Sequence, residues 1–204
     1  MKKEFYFSIL IISAIFAFIF DKKIMGFFVS IRNPFFDYIF LGFSLAGNIF
    51  IIFFFLTAVF LWKENKRRWI IPLWLSGIFA IIISFILKII IQRSRPFENG
   101  FPALEILFYL MKNSFNSWDF SFPSMHAMFV FASVPILIKE FKKLKFIWII
   151  FACAAAFSRS YFGVHYLSDI MFGAIIGYLI GMTLIYLEEK YEIGKKVIRK
   201  LKLE

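Results

Sequence analysis

Of the chain's 204 residues, 61% are hydrophobic and 32 are phenylalanine, which is far from the usage of soluble proteins. Several apolar runs are long enough to cross a bilayer, so the chain reads as an integral membrane protein, most simply one domain over 1–204. A net charge of +11 would suggest nucleic acid in a soluble chain. Here the cations sit in short loops and a tail beside apolar spans, where topology and anionic headgroups account for them, so no nucleic-acid partner is expected.

After Met1-Lys2-Lys3-Glu4 comes an apolar run from Phe5 to Phe20. Asp21-Lys22-Lys23 follows without a small-x-small cleavage site, which predicts an uncleaved first transmembrane helix. Ile24 to Asp37 mixes apolar residues with Arg32, Asn33 and Pro34 and predicts a short interfacial segment broken at the proline. Tyr38 to Trp62 is a second span, closed by Lys63-Glu64-Asn65-Lys66-Arg67-Arg68. Trp69 to Leu87 is a third, with Pro72 near its start, where a missing amide proton costs little. Trp62 and Trp69 flank this loop as interfacial anchors would.

The character changes after Leu87. Lys88 to Phe122 holds Lys88, Arg93, Arg95, Pro96, Asn99-Gly100 and Asp119, too polar for lipid. Within it, Phe101 to Phe115 predicts an amphipathic helix lying in the interface. Ser124 to Ile138 is a short fourth span, stopped by Lys139-Glu140-Phe141-Lys142-Lys143-Leu144-Lys145. A fifth begins at Phe146 and runs to about Phe157, and Tyr166 to Leu187 is a sixth. Cys153, the one cysteine, lies among alanines in the fifth and reads as a packing residue. The tail, Glu188 to Glu204, predicts a basic helix on the membrane surface. The expected fold is an all-α membrane bundle of about six transmembrane helices with one amphipathic interfacial helix. Gly173, Gly177 and Gly181 form a ladder down the sixth helix. Packing within a monomer is its expected use, and a dimer face is the alternative.

Two Lys/Arg residues lie at the N-terminus, four in the 63–68 loop, four in the 139–145 loop and six in the tail; the other side receives eight. The positive-inside rule therefore predicts both termini in the cytoplasm. It also places 88–123 and 158–169 together on the opposite face, where Lys88, Arg93, Arg95 and Arg159 accompany His126 and His165.

That combination points to phosphate chemistry. Guanidinium forks match phosphate oxygens bidentately and a lysine adds a point charge, and Lys88, Arg95 and Arg159 have few carboxylates near them in sequence. Pro123-Ser124-Met125-His126 opens the fourth span, where the Ser124 hydroxyl and the amides of Ser124 and Met125 could bind an anion. His126 is a candidate general acid. His165 and Asp169 are four apart; on a helix the carboxylate would hold one imidazole nitrogen and leave the other aimed at a substrate. Arg93 and Met125 are possible headgroup contacts. Two histidines and Asp169 could in principle ligate a metal, but no carboxylate cluster accompanies them and the cations would repel it, so no metal or cofactor is expected.

Three stretches carry a resemblance. Lys88-Ile89-Ile90-Ile91-Gln92-Arg93-Ser94-Arg95-Pro96 is similar to the Lys-x6-Arg-Pro motif of the type 2 phosphatidic acid phosphatase superfamily. Pro123-Ser124-Met125-His126 resembles its Pro-Ser-x-His motif, and Ser158-Arg159 to His165 and Asp169 resembles Ser-Arg-x5-His-x3-Asp. Met125 stands where many relatives have glycine. The resemblance organises residues 69–187 and implies His165 as nucleophile oriented by Asp169, a phosphohistidine, and His126 protonating the leaving oxygen. Lys88, Arg95, Ser124 and Arg159 would hold the phosphoryl oxygens. It implies a phosphatase of the bacterial inner membrane with its site on the outer face, acting on phosphatidylglycerol phosphate, undecaprenyl diphosphate, phosphatidic acid or the 1-phosphate of lipid A. A transporter or anion channel lined by the same cations is the alternative, although internal repeats and matched broken helices are absent.

Overall fold

A computed structural model describes residues 2–104 and 120–201, and among them there are helices, 3-10 turns and loops but no strand. The chain is an all-α membrane bundle.

Helix α1 (Lys2–Ser30) runs on through Asp21-Lys22-Lys23, so the interfacial segment expected over Ile24 to Asp37 is not a unit. The reason is a single stripe: Ala14, Ala17, Asp21, Met25 and Phe28 are buried at spacings of three and four, while Lys22 and Lys23 face outward. The break falls after Ser30, and α2 (Pro34–Ala46) starts with proline in its first position and Asn33 as cap, accepting from Phe36 N at 3.1 Å.

The expected second span is two helices, α2 and α3 (Ile49–Trp62), bent by 57°. At the bend sits Gly47, where a Cβ would lie 2.9 Å from both Ala155 Cβ and His126 Nε2. A 3-10 turn (Glu64–Trp69) leads into α4 (Ile70–Ile91). Trp62 is 88% exposed, as an anchor should be, but Trp69 is fully buried and packs in the core with Phe60 and Leu73. Its position after a tight turn points the ring inward, which loop proximity alone could not indicate.

Among the described residues the α-helices that follow are α5 (Met125–Glu140), α6 (Lys145–Tyr161), α7 (Leu167–Tyr191) and α8 (Ile193–Lys200). Of the tail expected over Glu188 to Glu204, the first residues to Tyr191 continue α7, and α8 is a separate short helix. The amphipathic helix expected over 101–115 lies, from residue 105 on, outside the described residues; Phe101 to Leu104 are irregular. Cys153 is exposed on α6 rather than packed. Among the described residues three helical stretches are long and apolar enough to cross a membrane, and the bent pair α2–α3 makes a fourth. Large apolar side chains cover the outside, for example Ile19, Phe54, Ile90, Phe146 and Ile150, as a lipid-facing surface requires.

Helix α5 is the centre of the bundle and packs most extensively on α7. The glycine ladder is what allows it. A Cβ on Gly177 would stand 2.1 Å from Met128 O, and one on Gly181 would stand 2.3 Å from Ala132 O. The ladder is therefore filled within the chain by α5. Polar groups sort to two ends. At one, Lys66 Nζ donates to Glu140 O at 2.6 Å and Gly194 N to Glu188 Oε2 at 2.6 Å. At the other lie Arg32, 93–95, 121–124 and 159–169.

Candidate active site

The site is assembled where α4, α5, α6 and α7 meet at that second end. Helix α4 extends one turn beyond the expected span, which places Lys88 in its last turn, and Gln92 closes it with φ 50° and ψ 38°, a left-handed cap that turns the chain inward. Lys88 is buried and its Nζ donates to Phe120 O. Arg95, 3% exposed, donates through one guanidinium nitrogen to Val164 O at 2.7 Å, and the same nitrogen lies 3.4 Å from His165 Nε2. Glu98, the nearest carboxylate in sequence, is used elsewhere: its Oε2 accepts from the Arg95 amide at 2.7 Å.

Arg159 sits in the last turn of α6, buried, and donates to Ser44 Oγ at 3.1 Å. Its carbonyl accepts from the amides of Val164 (3.1 Å) and His165 (3.3 Å), folding the loop back on the helix end. That fold needs Gly163, whose φ of +76° is left-handed and whose missing side chain leaves room for Pro102 O at 2.9 Å.

His165 is thus in the loop before α7, not on the helix, and its contact with Asp169 is at ion-pair distance rather than a hydrogen bond. Nδ1 lies 2.8 Å from Ser121 O and 3.9 Å from the nearer Asp169 oxygen. A carbonyl accepts only, so Nδ1 carries the proton and the lone pair is on Nε2, beside Arg95.

Asp169, fully buried, works as a hub instead. One oxygen accepts from Ser121 Oγ and, at 2.8 Å, from Tyr166 N, which caps the first turn of α7. The other accepts from Arg93 at 2.6 Å. Arg93, expected as a headgroup contact, is in fact bonded inward: it also reaches Ser168 Oγ at 2.8 Å and Asp21 Oδ2 at 2.7 Å. Burial raises the Tyr166 phenol above its ordinary value, and its ring lies 4.2 Å from the Arg93 guanidinium carbon.

Ser124 caps α5, with its hydroxyl accepting from Ala127 N at 3.4 Å. Its amide, expected among the anion donors, is donated to Asp169 O at 3.0 Å. Met125 opens the helix, partly exposed. His126 follows, with Nε2 buried and without a hydrogen-bond partner among the described residues, near Gly47 and within electrostatic reach of Arg159 and His165. Leaving a buried imidazole nitrogen without a partner costs about 1–3 kcal/mol. Among the described residues, no three His, Cys, Asp or Glu side chains converge as a metal site would need.

Sequence reasoning missed Ser121 and Asp21. Ser121 lies in the polar segment before Pro123 with no periodicity to single it out. Asp21 reads as the end of a span, although it is in register with the small residues Ala14 and Ala17.

The PAP2 superfamily model matches residues 69–192. The chain is 27% identical over 179 residues to a lipid A 4'-phosphatase of Bacteroides thetaiotaomicron, covering 83% of this chain and 77% of that protein. It is 31% identical over 147 residues to an undecaprenyl-diphosphatase of Sulfolobus acidocaldarius, covering 72% and 68%. The fold is similar to the crystal structure of a transmembrane PAP2 type phosphatidylglycerolphosphate phosphatase from Bacillus subtilis, with a TM-score of 0.67 and 22% identity over 89% of this chain and 95% of that one.

Proposed function

Because the chain belongs to the PAP2 superfamily, we propose that this membrane lipid phosphatase works through a phosphohistidine on His165 and needs no cofactor. The observation that carries the reading is the geometry of His165: Nδ1 is committed to Ser121 O, and Nε2 lies beside the buried Arg95. Nε2 attacks phosphorus, the P–N bond forms, and the P–O bond to the lipid breaks. His126 gives its proton to the departing oxygen. Water then attacks the phosphohistidine, His126 takes a proton from it, and inorganic phosphate leaves. Lys88, Arg95, Arg159 and the Ser124 hydroxyl hold the equatorial oxygens and stabilise the charge there.

The substrate is a phosphomonoester or diphosphate headgroup of a membrane lipid. Lipid A phosphate, undecaprenyl diphosphate, phosphatidylglycerol phosphate and phosphatidic acid are the set to test. Support comes from what the named relatives act on and from the site's place at one end of a lipid-facing bundle. The other end gathers the basic 63–68 and 139–145 loops and α8, which supports cytoplasmic termini and a site on the outer face of a bacterial inner membrane.

The test is phosphate release in detergent from each of the four lipids, beside the His165→Ala control. Release that vanishes in the variant supports the reading. Release that persists removes His165 as nucleophile, and lipid flux without hydrolysis would favour the transporter alternative.

A further inference from the structure

Helix α1 lies outside the matched region 69–192, yet it sends one carboxylate into the site. Asp21 is 3% exposed and accepts three hydrogen bonds, two from Ser168 and one from Arg93. Oδ1 accepts from Ser168 N at 3.2 Å, and Oδ2 accepts from Ser168 Oγ and from Arg93 at 2.7 Å. The contact with Arg93 is also an ion pair. Ser168 is the second residue of α7, so a carboxylate from another helix covers an amide that the helix itself cannot satisfy.

Arg93 is the link inward. One terminal nitrogen is on Asp21 and the other on Asp169 at 2.6 Å, so a single guanidinium lies between two buried carboxylates that would otherwise repel each other. Its planar face is held as well, 4.7 Å from the Phe18 ring and 4.2 Å from the Tyr166 ring. Lysine has the charge but not the fork, so only arginine can bridge both acids.

The consequence reaches His165 through Ser121, which is gripped three ways. Its amide donates to Arg93 O at 2.7 Å, its hydroxyl donates to Asp169 Oδ2, and its carbonyl accepts from His165 Nδ1 at 2.8 Å. Two of those three grips end on Arg93 or on its partner Asp169. We infer that Asp21 and Arg93 are positioning residues for the reaction: they fix Asp169 and Ser121, and through them the tautomer and aim of His165. Neither acts on the substrate.

The inference rests on the assignment of His165 as nucleophile. A purely structural role, with Asp21 only fastening α1 to the bundle, makes a different forecast: lower thermal stability with unchanged turnover per folded molecule. Positioning predicts that Asp21→Asn, which keeps shape and removes charge, lowers kcat by about 10- to 100-fold with KM within about 2-fold. Arg93→Lys is the second variant, should Asp21→Asn not fold, and carries the same expectation.

The deciding measurement is a double-mutant cycle on kcat, using wild-type protein, Asp21→Asn, Asp169→Asn and the double variant in detergent on one lipid phosphate. Positioning through Asp169 predicts that Asp21→Asn costs less than about 3-fold once Asp169 is already replaced. Equal kcat in wild type and Asp21→Asn, or multiplying losses in the cycle, overturns the inference while leaving the phosphatase reading intact. A wild type that releases no phosphate, or a His165→Ala variant that still does, overturns both.

Discussion

His165 Nδ1 meets the backbone carbonyl of Ser121 at 2.8 Å, while the carboxylate four residues downstream stands 3.9 Å away. The hydrogen bond at Nδ1 is therefore to a main-chain group, and the Ser121 hydroxyl in turn donates to Asp169. A carbonyl fixes the tautomer as firmly as a carboxylate does, but it supplies no full negative charge to an imidazolium or a phosphohistidine.

Asp169→Asn separates these contributions. The amide keeps the shape but loses the charge-assisted bond to Arg93, worth about 1.5–3 kcal/mol. Arg93 retains Asp21, so the protein stays folded with a lower unfolding temperature. Turnover falls more than KM rises, as steady-state kinetics on detergent-solubilised protein will show; a change confined to KM contradicts the placement.

Ser121→Ala is the milder probe. It keeps the carbonyl on His165 and removes only the hydroxyl on Asp169. The loss in kcat should be about 10-fold, smaller than for Asp169→Asn. A larger loss from Ser121→Ala than from Asp169→Asn would mean that the hydroxyl has a direct role on the substrate.

His126→Ala should slow turnover by about 10²–10⁴-fold on an alkyl phosphate, the usual contribution of a general acid. On an aryl phosphate, whose leaving oxygen needs little protonation, the loss should shrink to a small factor. Equal losses on both substrates would place His126 in binding rather than in proton transfer.

The glycine ladder gives a packing test free of the chemistry. Gly177→Ala puts a Cβ where Met128 O already lies and should destabilise by about 1–3 kcal/mol as α5 and α7 are forced apart. Gly26→Ala, on α1 with nothing within 4 Å of its Cβ, should leave the unfolding temperature unchanged or slightly raised. Thermal unfolding in one detergent compares them directly.

Much of the site was legible because charge is conspicuous in an apolar chain. Lys88, Arg95, Arg159, Ser124 and both histidines stood out, and the structure gathers them at one end of the bundle. What the linear pattern hid were relationships made by tertiary contact. Asp21 resembles a span terminus until the stripe Ala14, Ala17, Met25 and Phe28 is seen to share its face. Arg93 reads as a headgroup contact in sequence, because its two acids come from α1 and α7, 72 and 76 residues away. The bend at Gly47-Asn48 lies inside a long apolar run, where a single turn signal is outweighed by the hydrophobicity around it, and Trp69 reads as an anchor in sequence but fills the core. Spacing placed His165 and Asp169 on one helix, but the left-handed Gly163 turn ends α6 and leaves His165 in the loop before α7 begins.

Covalent chemistry at His165 is open to a trapping experiment. Protein mixed with a phosphate-labelled lipid substrate and quenched within milliseconds in alkali should retain label that is stable to base and lost in acid, as a phosphoramidate is. His165→Ala should retain none. Label on any other residue, or steady phosphate release from His165→Ala without label, would rule out His165 as the nucleophile.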